Sequence, residues 1–366
     1  MERRNIALII TLILIAAAIV YLGQFTPDKS FTGTSVTPGS RTAINAEKAQ
    51  KYQYAKEIAR PSGYVNVDNI TIASLIGKKV ILVDFWTYSC INCVRTIPYV
   101  NMWYDKYHDQ GLEIIGIHTP EFQFEHNIDN VRQAVRKFGI RYPVVLDNDY
   151  ATWSSYNNQY WPADYLIDID GFIVGNHFGE GNYDVTEQKI QDLLRERADA
   201  LGINVTFTDT TGTPGNAVPV DFTRVGSHET YFGSAKNQYL GNGQQFVSGQ
   251  QVLVPPATVQ TNELYLAGPW TLTGEYAESL GNCSIIYRYN AKNVYFVASA
   301  PGDTAITVLL DGSPVTGNAG ADVRDSTVTI RDERLYSLVQ GNDYSEHTLE
   351  LRVPKPGLRA YTFTFG

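Results

Sequence analysis

An unbroken apolar run, Val80-Ile81-Leu82-Val83, leads through Asp84-Phe85-Trp86 to two cysteines, Cys90 and Cys93, and then to a segment able to be helical. A β-branched run of this kind suits a strand covered on both faces. Where such a strand ends in Cys-x-x-Cys at a helix start, the first sulfur lies over unpaired backbone N–H groups and the positive end of the helix dipole. Both favour the thiolate, which is the nucleophile. One helical turn separates the cysteines, so the second thiol can attack a mixed disulfide formed on the first; that is two-step disulfide exchange. The redox group is then the Cys90–Cys93 disulfide itself, with no cofactor and no metal. A structural zinc site needs four ligands, and no second Cys-x-x-Cys or His pair occurs in the sequence. The third cysteine, Cys283, stands among apolar strand formers and reads as a buried small apolar residue.

Around this stretch the pattern alternates. A strand at 80–84 precedes a helix over 91–107 that contains Pro98, and a strand at 112–117 precedes a helix over 129–138. Residues 142–146 read as a short edge strand and 151–156 as a helical turn. Strands at 164–168 and 172–177 meet at the Asp170-Gly171 turn, and a helix over 184–200 closes the unit. Ahead of the core, 46–59 reads as a short helix before Pro61, and 64–72 as a small hairpin. A βαβ core, a hairpin and a final helix make a mixed sheet covered by helices on both faces.

Asp84-Phe85-Trp86 before the cysteines and Pro98 after them resemble the active-site region of thioredoxin-fold oxidoreductases. The longer string from Phe85 to Cys93, with Gly116-Ile117-His118-Thr119-Pro120-Glu121-Phe122 downstream, is similar to the extracytoplasmic thioredoxin-like region of the DipZ family. The resemblance covers about residues 63–194. It implies an α/β thioredoxin fold over 46–202 and thiol–disulfide oxidoreductase activity, with Cys90 attacking and Cys93 resolving. It also implies that Pro162 is a cis proline facing the redox pair, that the backbone before it pairs with a substrate chain, and that Trp161 lines the substrate surface. Asp84 stands in an otherwise apolar run, so it is expected inside the sheet near Cys93. Desolvation there raises its pKa and lets it take the proton of Cys93. The same similarity points to that role.

Trp86 and Tyr88 flank the first thiol and are expected to shape substrate access. His118, Glu121 and Glu125 follow the second strand at the same end of the sheet, where ligand and catalytic groups gather. Glu121, Glu125 or His118 is a candidate proton shuttle to the exposed sulfur, and a solvated acidic loop is the alternative for the glutamates. Many extracytoplasmic thioredoxin-like reductases carry a glutamate three residues after the second cysteine; Thr96 occupies that place here and cannot act as a base.

After Gly202 helical periodicity disappears. Short alternating runs at 262–266, 270–273, 284–289, 293–298, 305–310, 326–330, 347–353 and 359–365 are separated by turn residues, the pattern of an all-β sandwich. Leu310-Asp311-Gly312, Arg334-Leu335-Tyr336 and Phe363-Thr364-Phe365-Gly366 resemble the jelly-roll, carbohydrate-binding-module-like domain that follows the thioredoxin unit in the DipZ family. This domain is placed at 250–366, with a glycan as a candidate ligand. Between the two domains, 203–249 reads as a connecting strap in which Val220, Phe222, Tyr231, Phe232 and Tyr239 need burial.

At the other end, Arg3 and Arg4 precede an almost wholly apolar segment ending at Leu22, so 1–22 is a single membrane-spanning anchor or a cleaved signal. The positive flank keeps the N-terminus inside and sends the rest outside. Residues 23–45 read as a flexible linker. A net charge of −9 without a Lys/Arg cluster argues against nucleic acid as a partner. The partners expected are protein thiols or disulfides outside the cytoplasm, the membrane, and a separate CcdA-type membrane electron donor, since the multi-spanning electron-transfer domain of the DipZ family is absent from this sequence. Two other functions compete. Thr87-Tyr88-Ser89-Cys90 matches the Thr-x-x-Cys of thiol peroxidases, although Val83 stands where those carry a proline. A glycan- or protein-binding module with a redox domain attached is the other.

Overall fold

The computed structural model describes residues 38–207 and 210–366. The expected anchor at 1–22 lies outside the described residues, as does most of the linker. Among the described residues no helix is long and apolar enough to cross a membrane. Residues Ala43–Gly366 form one compact unit.

The apolar run becomes β2 (Val80–Trp86), buried along its whole length. It lies inside a six-stranded sheet of order β1-β4-β3-β2-β5-β6, whose other strands are β1 (Gly63–Val65), β3 (Leu112–His118), β4 (Val144–Leu146), β5 (Ala163–Ile167) and β6 (Ile173–Phe178). β2, β3 and β4 are parallel; β1, β5 and β6 run against their neighbours. Val80, Leu82 and Trp86 pack with Val100, Trp103, Ile190 and Leu193, whereas Ile81, Val83 and Phe85 pack with Ile72, Tyr156 and Tyr165. The sheet therefore separates two apolar cores, which is why its central strand carries no polar alternation. The helices are α1 (Pro38–Lys51), α2 (Ile72–Leu75), α3 (Ile91–Tyr107), α4 (Ile128–Lys137), α5 (Ala151–Ser155) and α6 (Tyr183–Leu201). Lys48 on α1 meets Asp168 at 2.7 Å, Asp170 at 3.0 Å and Glu196, which ties α1 to the β5–β6 turn and α6.

Three local expectations differ. Residues 64–72 form no hairpin. β1 instead pairs with β4, because Asn66 turns the chain (φ 67°) and its amide donates to the carbonyls of Ile140 and Tyr142. That pairing also takes β4 off the sheet edge. The first helix ends at Lys51, earlier than expected, since Tyr54 and Ala55 are drawn into pairing with Phe172 and Gly171.

The C-terminal region is β-rich. Eight short strands were legible, yet several are halves of longer ones. β11 (Cys283–Ser299) merges two of them. It pairs with β9 (Leu264–Leu272) along its first half, with β17 (Arg359–Phe365) along its second, and with β16 (Arg334–Val353) throughout. The polar residues Asn290 to Asn293 are a bulge and not a turn. The inner face holds Trp270, Tyr287, Phe296 and Phe363, and Cys283 is buried among them. The strap touches both parts: Gly212 N donates to Glu187, and Thr230–Tyr231 form β7 against β17. Phe232 is buried, but Phe222 is 51% exposed. It lies over the Arg95 guanidinium, 6.0 Å from the ring centroid, and needs no core.

Candidate active site

The end of β2 delivers Cys90 to the N-cap of α3, in extended backbone, where its Sγ accepts from the Cys93 N–H at 3.4 Å. Cys90 is half-buried; Cys93, one turn on, is 1% exposed, and both are free thiols. The Trp161–Pro162 peptide is cis, and the Trp161 carbonyl oxygen lies 4.0 Å from Cys90 Sγ. A sulfur at a helix N-terminus beside an outward carbonyl can receive a substrate disulfide, with the substrate backbone alongside. Burial pushes the Cys93 thiol up, and the neighbouring Cys90 and Asp84 push it the same way. Cys93 is thus a thiol at rest and needs a base before it can attack.

Asp84 is 1% exposed and shares its face of β2 with residues of the core that contains Cys93. Burial raises its carboxyl well above the ordinary range, and the charge of Asp164 raises it further. Asp164 is the residue that sequence reasoning missed. It lies directly opposite Asp84 in the β2–β5 register, is 4% exposed, and is pushed by burial up to about 7. The signal was present in Ala163-Asp164-Tyr165-Leu166-Ile167, an acid inside an apolar strand, but only the register makes it a partner of Asp84. On the other side of Asp84 stands Gly116, where a Cβ would lie 2.9 Å from Trp86 Nε1 and 3.1 Å from Tyr142.

The remaining residues divide differently from expectation. Trp86 is fully buried and forms core, so it presents no surface to substrate. Tyr88 is 5% exposed; its hydroxyl donates to the Glu333 carbonyl at 3.2 Å, and it lines a cleft of about 700 Å³ where the sheet unit meets the β-rich region. His118 is fully buried, stacked on Tyr88 with centroids 5.7 Å apart, and burial lowers its pKa to about 3. It is a neutral packing residue. Glu125, a candidate shuttle, is engaged by its own loop. It is fully buried, and its two oxygens accept from Ser89 N at 3.2 Å, Ser89 Oγ at 2.7 Å, Glu121 N at 2.6 Å and Phe122 N at 3.0 Å. Glu121 is not free either: its Oε1 accepts from Tyr231 OH at 2.6 Å and Lys236 Nζ at 3.0 Å on the strap. Trp161 is half-buried, donates to the Thr119 carbonyl at 3.1 Å and packs on Trp153 at 4.3 Å. Beside it, Tyr160 and Phe178 are exposed and paired at 5.5 Å.

A Cys-x-x-Cys at a helix N-terminus, facing a cis proline and backed by a buried carboxylate on a mixed sheet, defines a thioredoxin-fold dithiol site. Residues 53–175 match the AhpC/TSA family, and residues 227–366 match the thioredoxin like C-terminal domain. Thiol-disulfide oxidoreductase YkuV of Bacillus subtilis is 30% identical over 127 residues, 35% of this chain and 85% of that protein. Protein DipZ of Mycobacterium tuberculosis is 39% identical over 331 residues, 89% of this chain and 45% of the relative. The chain thus spans less than half the length of the DipZ proteins that it matches. A solved thioredoxin-like protein in its oxidised form is 28% identical with a TM-score of 0.37, covering 40% of this chain and 97% of the other. The chain belongs to the thiol–disulfide oxidoreductase family.

Proposed function

We propose that the protein exchanges disulfides with protein thiols outside the cytoplasm, held at the membrane by its N-terminal segment, with the Cys90–Cys93 pair as its redox group. The observation that carries this reading is the pairing of a half-buried sulfur at a helix N-cap with a fully buried one a turn later. In the reducing direction the Cys90 thiolate attacks a substrate disulfide, forming a mixed disulfide and releasing one substrate thiolate. Cys93 gives its proton to Asp84 and attacks Cys90 Sγ. The bond to the substrate breaks, and two electrons have passed to it. The substrate chain lies along the Trp161 carbonyl, with the cleft at Tyr88 taking its flanking residues.

The electrons then come from a CcdA-type membrane donor, which fits the resemblance to DipZ. The β-rich region is read as a jelly-roll, carbohydrate-binding-module-like unit that holds the partner or a glycan. The AhpC/TSA match keeps a peroxidase in view, but Thr87, which that chemistry wants beside the sulfur, is fully buried with its hydroxyl 3.5 Å from His118 Nε2. The test is Cys93→Ser in the full chain. It leaves attack intact and removes release, so disulfide-linked adducts accumulate on non-reducing gels, whereas Cys90→Ser shows none. Equal adducts in both variants would sink the assignment.

A further inference from the structure

The proton that leaves Cys93 has no open way forward. Cys93 is buried, and the half-buried Cys90 in front of it is covered by substrate at the moment of resolution. Behind, the structure is different. Asp84, Asp164 and His177 form a row across β2, β5 and β6, each directly opposite the next. Residues so placed share one face, with Cβ atoms about 4.5–5.5 Å apart. Asp84 Oδ1, Asp164 Oδ1 and His177 Nε2 are all buried, with no hydrogen-bond partner among the described residues. Unpartnered polar atoms in a line are unusual, because each forfeits the hydration it had in the unfolded chain.

The end of this row opens. A cavity of about 450 Å³ between β6 and α6 is walled by Asp164, His177, Thr186 and Lys189, and its lining includes Val185, which is 63% exposed. Asp164, Asn176, His177, Asn182, Thr186 and Lys189 give this space polar groups among its apolar lining, and its size leaves room for water. We propose that Asp164, His177 and this cavity are the exit by which the proton that Asp84 takes from Cys93 reaches solvent. The inference rests on the disulfide-exchange reading above.

The step balances. The Cys93 S–H gives its proton to the Asp84 carboxylate, and the thiolate forms the bond to Cys90 Sγ as the bond from Cys90 to the substrate sulfur breaks. The substrate leaves as a thiolate and takes its proton from bulk water. The proton on Asp84 passes to Asp164, to His177 Nε2 and to water in the cavity. Two buried carboxylates directly opposite each other resist ionising together, and the charge of Asp164 helps hold the Asp84 carboxyl above the ordinary range. The ionisable groups that face this pair are Cys93 from α3, Tyr142 from the segment before β4, His177 from β6 and Lys189 from α6. In the opposite redox direction the same path runs inward.

The sign of the pH effect follows from the pairing. The charge of Asp164 raises the Asp84 carboxyl, so removing that charge lowers it. Asp84 must be ionised to act as base, and the rate of resolution therefore rises with pH through its titration.

The experiment is single-turnover oxidation of the reduced full chain by a small peptide disulfide, followed against pH. In Asp164→Asn the rising limb moves to lower pH by about one unit. In His177→Phe the limb stays, but in dilute non-nucleophilic buffer the rate at the plateau falls at least about threefold, and added imidazole restores it. The wild type does not respond to imidazole. Circular dichroism and a cooperative melt check that both variants fold; the limb reports the charge coupling of Asp164 to Asp84, and the imidazole response is the readout that a purely structural role of His177 does not move. An unshifted limb in Asp164→Asn, or no imidazole-restored loss in His177→Phe, overturns the proposal while leaving disulfide exchange in place. A wild-type chain that oxidises no faster than free dithiol would instead overturn the exchange reading.

Discussion

Glu125 fixes the loop that presents the attacking sulfur. Its carboxylate gathers four donors, two of them on Ser89, the residue before Cys90. Truncation leaves buried N–H groups without an acceptor, at about 1–3 kcal/mol for each group left unmade. Glu125→Ala should therefore lower the stability measured by urea denaturation by roughly 3 kcal/mol, and Glu125→Gln, which keeps one carbonyl acceptor, by less. Equal stability in wild type and Glu125→Ala would show that the loop holds without it. The role was not legible from sequence. Glu121-Phe122-Gln123-Phe124-Glu125 has the composition of a solvated loop, and nothing local says that its last carboxylate turns inward. The placement of Cys90, Cys93 and Asp84 was legible because it is set within one strand and one helical turn. Asp164 was not, because its meaning comes from a strand paired eighty residues away.

At the scale of elements, α3 is anchored behind the cysteines by Arg95. Its guanidinium grips Glu180, ahead of α6, through Nε at 2.8 Å and Nη2 at 2.6 Å, and also donates to Asn92 Oδ1 at 2.8 Å. Both side chains are nearly inaccessible, at 3% and 8%. A bidentate pair in such a place holds orientation more than it adds net stability, but breaking it strands a buried charge. Glu180→Gln should cost about 3 kcal/mol, whereas Arg95→Met with Glu180→Leu, which removes both charges, should recover much of that. A denaturant series on the three proteins decides it; a double variant no better than the single one would mean that packing, not charge, is what was lost. Element types were legible where periodicity was long, as in α3, α4 and α6. The long β strands were not, since polar residues inside them, such as Asn290 to Asn293, read as turns when they are bulges at which the strand changes neighbours.

At the scale of the whole molecule, the redox unit and the β-rich region share an apolar core. Tyr361 and Val297, on β17 and β11, belong to the same apolar core as Trp86, Cys93 and Ile97. Tyr361 meets Phe122 at 5.1 Å and Phe124 at 4.9 Å, edge-on to both. Alternation along β17 would put Tyr361 on the inner face with Phe363 and Phe365. The register instead steps from Val297↔Thr362 to Ala298↔Ala360, so Tyr361 is the extra residue of a bulge and turns the other way. That one irregularity joins the β-rich region to the loop held by Glu125, and no sequence pattern announces it. The buried cysteines of the two regions, Cys93 at 1% and Cys283 at 2%, are native reporters of whether they open together. In a Cys90→Ser background, alkylation of each thiol under native conditions measures the free energy of the opening that exposes it. If the junction couples the two regions, Cys93 and Cys283 react with equal protection in the full chain. Tyr361→Ala removes a large aromatic from the junction, at a cost of about 3–5 kcal/mol, and should lower both protections while separating the two rates. Rates that already differ by more than about tenfold in the parent, equivalent to 1.4 kcal/mol, would show that the β-rich region opens on its own and that the bulge at Tyr361 is contact without coupling.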